Sequence, residues 1–249
     1  MRVLLLLMVL LAGCLGASPE KDTVVFDLSH LEAFQPIDVD TLGYTAFYNM
    51  FQDAGYDTQA WVEPLSRESL EDAAVLVLAG PLLPLSQEEN RIILDFVRGG
   101  GNLLIFLHIA PPVAPLCKEF GILTTTGPIL EGAHIIEGDP ADFYVTRVAE
   151  HPVTEGVSAI AVYGCWGLGR FEDEVEILAT STPQAWIDSN GDRTYQEGEF
   201  RDTYGIVAVR SYGRGKVVVV ADDAPFIDRF LDQGDNRRLA GNIIAWFGE

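Results

Sequence analysis

Apolar residues fall into short unbroken runs in the first half of the chain and into interrupted stretches in the second. Val24-Val25-Phe26, Val75 to Ala79 and Leu103 to Leu107 contain no polar break, as strands covered on both faces require. Thr58 to Val62 is a further strand. Between these runs the period changes to that of a helix. From Gly43-Tyr44 to Ala54 the positions of Phe47, Met50 and Phe51 make one apolar side, and Gly55 ends it. Ser86 and Glu89 form a capping box opening a helix that turns Ile92, Ile93, Phe96 and Val97 inward and stops at Gly99-Gly100-Gly101. A short helix from Val113 to Phe120 closes at Gly121. Strand–helix alternation to about residue 121 predicts an α/β fold: a three-layer open sheet, largely parallel.

Beyond that point the pattern turns β-rich. Segments near 135, 145, 159–163, 175–179 and 184–187 are strand candidates, and Ile206–Arg210 with Lys216–Ala221 flank the turn Ser-Tyr-Gly-Arg-Gly of a hairpin. A last helix, Leu239 to Phe247, carries Ile243, Ile244, Trp246 and Phe247 toward the sheet. The expected organisation is a signal peptide at 1–13, a polar tether at 14–22 and one domain at 23–249 with a β-rich insertion at about 130–200. Two domains dividing near residue 130 are the alternative.

Charge narrows the functions open to the chain. Its 16 basic and 37 acidic residues give −21, which excludes a nucleic-acid footprint and adhesion to anionic lipid headgroups. A salt-adapted surface accounts for the acidity, and only Lys21, Lys118 and Lys216 of the basic residues are lysines. At the N-terminus, Arg2 precedes the apolar run Val3 to Ala12, too short to span a bilayer and of signal-peptide length. Leu11-Ala12-Gly13-Cys14 resembles the lipobox of prokaryotic lipoproteins, which implies cleavage before Cys14, lipid on its thiol and a cell-surface protein facing outside the cytoplasm. Cys117 and Cys165 then remain, either as a disulfide or as two buried thiols.

Two groups of side chains carry chemistry. The loop Asp188 to Glu199 places oxygen-bearing residues at calcium-loop spacing: Asp188, Asn190 and Asp192 at positions one, three and five, Thr194 at seven, Gln196 at nine and Glu199 at twelve. Arg193 replaces the turn glycine at position six, and the flanks read as strands. A structural Ca2+ is expected there, in competition with a solvated acidic turn. The second group lies at predicted strand ends: Asp27, Ser29 and His30, then Gly80, His108, and Asp222 with Asp223. In open α/β sheets ligands gather at that edge, so His30, His108, Asp222 and Asp223 are candidate ligand-binding residues. Trp61, Trp166 and Trp186 are candidates for stacking on a sugar or for the core.

The segments "LSQEENRIILDFVRGGGNLLIFL", "EHPVTEGV", "YGRGKVVVVADD" and "DNRRLAGNIIAWF" come in the order of class I glutamine-amidotransferase-like domains. The chain is similar to the members related to gliding-motility transport accessory proteins and intraflagellar-transport subunits. That resemblance implies a flavodoxin/amidotransferase-like sheet over residues 23–249. Catalytic members carry a nucleophilic Cys on the turn after a central strand and a His-x-Glu pair after a late one. Here those places hold His108-Ile109-Ala110 and Asp222-Asp223-Ala224. The resemblance therefore implies a non-catalytic binding or accessory domain in place of an acyl-transfer enzyme, and with the anchor it is expected to serve a membrane transport system, with a membrane-complex protein as partner. A metal-assisted hydrolase using His30, His108 and Asp222 is the competing expectation. A two-lobed solute-binding lipoprotein is a weaker one.

Overall fold

The computed structural model describes residues 22–36 and 41–249. Cys14, with the lipid attachment expected there, lies outside them. Fourteen strands and four α-helices are found among the described residues. The first half runs β1 (Thr23–Asp27), α1 (Thr45–Asp53), β2 (Asp57–Trp61), β3 (Ala73–Ala79), α2 (Gln87–Arg98), β4 (Asn102–Phe106) and α3 (Ala114–Glu119). The second half adds β5 (Ile122–Leu130), β6 (Ile135–Ile136), β7 (Asp139–Val145), β8 (Arg147–Val148), β9 (Ile160–Tyr163), β10 (Trp166–Arg170), β11 (Glu176–Thr180), β12 (Trp186–Ile187), β13 (Gly205–Tyr212), β14 (Gly215–Val220) and α4 (Asn236–Phe247).

The main sheet is ordered β12-β5-β10-β13-β14-β4-β3-β1-β2, with β11 and β8 branching from β13. From β14 to β2 neighbouring strands are parallel. From β14 outward they are antiparallel. The sheet is thus mixed, not largely parallel, because the chain after α3 returns through hairpins and short turns in place of helical crossovers. Residues 130–200 do not stand apart: β10, β11 and β12 continue the main sheet, while β6, β7 and β9 form a second, three-stranded one.

The inner parallel strands are buried almost throughout, including all of Val75–Ala79, Leu103–Phe106 and Val217–Val220, whereas β2 at the edge is largely exposed. Helix α2 begins at the predicted capping box, in which Ser86 Oγ accepts from Glu89 N and Glu89 accepts from Ser86 N. It buries Ile92, Ile93 and Val97. Phe96 lies under Gly101, where a Cβ would stand 2.2 Å from the ring. Helix α4 buries Leu239, Ala240, Ile243 and Ile244 against the core. No helix among the described residues is long and apolar enough to cross a membrane.

Candidate functional site

The strand ends expected to carry ligand chemistry do lie on one edge, but they form two separate networks. At the end of β1, Asp27 is fully buried and accepts from Ser29 N, Ser29 Oγ and His30 Nδ1, the last at 2.6 Å. His30 Nε2 stands 3.3 Å from Glu89 Oε1, so the imidazole bridges β1 to the first turn of α2. Burial pulls the His30 pKa down, but the hydrogen bonds and negative charges of Asp27 and Glu89 outweigh it and hold the value at about 8. Glu32 is raised to about 8 by burial and by the charge of Asp27. Asp27, His30 and Glu32 bring ligand atoms within 4.8 Å of one another, the one such group of three among the described residues. Both ring nitrogens of His30 are engaged by carboxylates, so the group is complete as an internal strap.

The second network faces a cavity of about 430 Å³. His108, just beyond β4, contacts Asp223 Oδ2 through Nδ1 at 3.1 Å, and Tyr44 donates its hydroxyl to the same oxygen at 3.1 Å. The hydrogen bond with Asp223 raises the His108 pKa despite partial burial. Asp222 accepts from Tyr163 N at 2.6 Å and Ala224 N at 3.0 Å, and burial, followed by the charge of Asp223, pushes its pKa well up. Of the four predicted ligand residues, His108, Asp222 and Asp223 line this cavity. His30 does not. The expected His30/His108/Asp222 metal cluster is therefore not assembled, because α2 supplies Glu89 and turns His30 into the strap.

Aromatic and aliphatic side chains make the rest of the wall. Trp166, Phe34, Tyr163 and Phe230 line the cavity, and the last two rings are stacked at 4.0 Å. Trp186 is core, whereas Trp61 is partly buried on β2 with its indole N–H buried and unpaired. Only Trp166 of the three proposed stacking residues reaches the cavity. Sequence reasoning missed Tyr163, Phe34, Phe230 and Tyr44 as site residues, since they come from segments far apart in the chain with no shared motif. Gly80 was placed at the right edge: a Cβ there would lie 2.8 Å from Asp223 Oδ2.

The acidic loop adjoins the same cavity through Asp188 and Arg193. Its neck is closed by the Ile187 N to Phe200 O bond and the Trp186–Arg201 bridge, confirming strand-like flanks. Asp188 accepts from Gly191 N and Arg193 N, Asn190 from Asp192 N, Asp192 from Thr194 N, and Glu199 reaches back to Ser189 N. Arg193 adopts φ +58° at position six, the place where a calcium loop uses glycine for its sharp turn. The backbone thus wraps as the sequence spacing requires. The side-chain shell is not drawn together, however: Asp188, Asp192 and Glu199 form no group with ligand atoms within 4.8 Å, and the amides of Asn190 and Gln196 both donate to Asp192. Thr194 donates its backbone N–H to Asp192.

The cysteines of the described residues are both held away from solvent. Cys117 and Cys165 are free thiols, fully buried, and unpaired with each other. Burial pushes Cys117 up to about 12 and Cys165 well above its ordinary value. His151 is structural: its Nδ1 accepts from Val153 N at the start of a short turn.

A mixed open sheet with an aromatic cavity at the carboxyl ends of its parallel strands is the scaffold class defined here. The family model described as Domain of unknown function (DUF4350) matches residues 38–244, and the chain belongs to that family. Among solved structures it is similar to the mmIFT52 N-terminal domain, at 15% identity and TM-score 0.73 over 91% of this chain and 97% of that one. It is also similar to cytoplasmic protein STM1381 from Salmonella typhimurium LT2, at 14% identity and TM-score 0.58 over 90% and 99% of the two chains. A ThuA-like protein from Bacteroides uniformis ATCC 8492 matches at 13% identity and TM-score 0.53 over 93% of each. The likeness at these identities is one of fold, and it extends over nearly the whole of each chain.

Proposed function

We propose that the protein is a lipid-anchored extracytoplasmic binding domain on an amidotransferase-like scaffold, recognising a small ligand without transforming it. The observation that carries this reading is the turn after β4. His108, hydrogen-bonded to Asp223, stands where an acyl-transfer enzyme would present its thiol, and it borders an aromatic cavity. Both cysteines of the folded part are buried, so no thiolate can reach that cavity. Burial of 70–90% of a small ligand in such a concave, largely apolar site is how binding pockets work. Lipid on Cys14 would hold the domain at the cell membrane, where a membrane complex is its expected partner. The chain's negative charge favours attachment through acyl chains over headgroup contacts.

Asp188, Asn190, Asp192, Thr194, Gln196 and Glu199 are proposed to hold a structural Ca2+ on the cavity's flank. The wrapped backbone of the loop supports this, and the shell would close by turning the Asn190 and Gln196 amides.

A thermal-melt screen of amphipathic small molecules tests the binding reading. Stabilising compounds should lose their effect in both His108→Ala and Trp166→Ala. Compounds that stabilise all three forms equally would place the site elsewhere. For the anchor, Cys14→Ser should move the protein from the membrane fraction to the soluble one and abolish labelling with radioactive palmitate.

A further inference from the structure

We infer that the cavity beside His108 takes an organic ammonium ion, its charged head against the Asp223–His108 pair and its hydrocarbon body on Trp166 and Tyr163. The inference rests on the cavity being a ligand site and names what that site selects.

Charge is the first argument. Two carboxylates, Asp188 and Asp223, line the wall beside Asp222, whose carboxyl burial pushes toward the neutral form, against one guanidinium, that of Arg193. That guanidinium is already paired with Asp139 at 2.5 Å, on a residue outside the cavity lining. An anionic ligand would meet uncompensated carboxylates and approach a protein of charge −21, whose field repels it and steers cations inward.

Hydrogen-bond polarity points the same way. Above its raised pKa the His108 ring is neutral, and with Nδ1–H directed at Asp223 it leaves a lone pair on Nε2. Asp223 is acceptor-only when ionised. The polar end of the cavity therefore accepts, and an ammonium group supplies up to three donors.

The walls complete the match. Trp166 and the Tyr163–Phe230 pair, whose rings stack on each other at 4.0 Å, line the cavity, and Phe34 meets His108 edge-on with ring centres 5.5 Å apart. Aromatic faces attract a desolvated cation within about 6 Å, by an amount that can reach 2 kcal/mol. A neutral alcohol of the same shape gains the apolar contact but neither the charge nor the cation–π attraction.

Calorimetric titration of the protein with 2-phenylethylammonium, 2-phenylethanol and phenylacetate separates these possibilities, since the three share a ring and a chain length close to one another. The ammonium ion should bind about tenfold or more tighter than the alcohol, with phenylacetate weakest. Trp166→Leu should weaken all binding, and Asp223→Asn should remove the preference for the cation over the alcohol. Asp223 also holds Tyr44 and His108, so Asp188→Asn serves as a second, more exposed charge variant that should reduce the same preference. Alcohol or phenylacetate binding as tightly as the ammonium ion would overturn the ligand class and leave the binding reading standing. Silence from all three probes would overturn both. Ammonium binding unchanged in Trp166→Leu would remove it from this cavity.

Discussion

His108 Nδ1 and Asp223 Oδ2 lie 3.1 Å apart although 115 positions separate them in the chain. The pairing is set by backbone register: β4 and β14 run parallel with Phe106 opposite Val220, so both chains leave the sheet at one level. The carboxylate should therefore control the imidazole. In Asp223→Asn the His108 pKa, followed by NMR of the ring, should fall toward its ordinary 6.5. An unchanged titration would mean that the contact does not form.

Gly80 wedges between these partners. Its φ is +70°, and a Cβ would stand 2.8 Å from Asp223 Oδ2 and 3.0 Å from His108 Cβ. Gly80→Ala should cost about 1–3 kcal/mol in urea unfolding, from backbone strain in a region alanine avoids. It should also disturb the His108 signal. Loss of stability with His108 unaltered would show that only the strain is felt.

The strap at His30 gives stability a definite pH dependence. Its folded pKa of about 8 lies above the ordinary 6.5, so its contribution is complete below pH 6.5 and disappears as pH rises through 8. The difference corresponds to about 2 kcal/mol. Glu32 acts in the same direction: raised from 4.5 to about 8, it keeps its proton in the fold where the unfolded chain has lost it, and stability falls between those values. The urea midpoint should drop from pH 6 to pH 9, and His30→Gln should flatten the decline. A midpoint constant or rising over that interval contradicts the strap.

Calcium should stabilise the fold if the Asp188–Glu199 loop binds it. At a hundredfold excess over Kd the gain is about 2.7 kcal/mol, several degrees in melting temperature for a chain of this size. Asp188→Ala should abolish the rise. Identical melts in chelator and in millimolar calcium would assign the loop to its internal hydrogen bonds alone.

The parallel half of the fold was legible because burial on both faces forces unbroken apolar runs, and because Ser86 and Glu89 announce a helix start. Strand β5, Ile-Leu-Thr-Thr-Thr-Gly-Pro-Ile-Leu, escaped notice because it is half exposed and carries Gly127-Pro128. Strand β10, Trp-Gly-Leu-Gly-Arg, escaped because its glycines resemble a turn. Gly167 is needed there for close packing, as a Cβ would come 2.7 Å from Thr125 Cγ2. These two strands made the difference between a largely parallel sheet and a mixed one. In the site, His108, Asp222 and Asp223 follow from strand ends alone. The separation of His30 from them depends on Glu89, whose capping role gave no sign that its carboxylate also meets an imidazole. The aromatic walls bring together Phe34, Tyr163, Trp166 and Phe230, which no motif links and only folding joins.

The central claim is that the His108 edge binds a ligand and leaves it chemically intact. NMR titration with 2-phenylethylammonium, and with any compound that stabilises the protein in the melt screen, tests it most directly. The His108 ring nitrogens, the Trp166 indole N–H and the ligand's own spectrum are observed together. The account predicts saturable shifts of both residues and a ligand spectrum that returns unchanged on dilution. Motionless His108 and Trp166 signals, or a ligand converted to product, would contradict it.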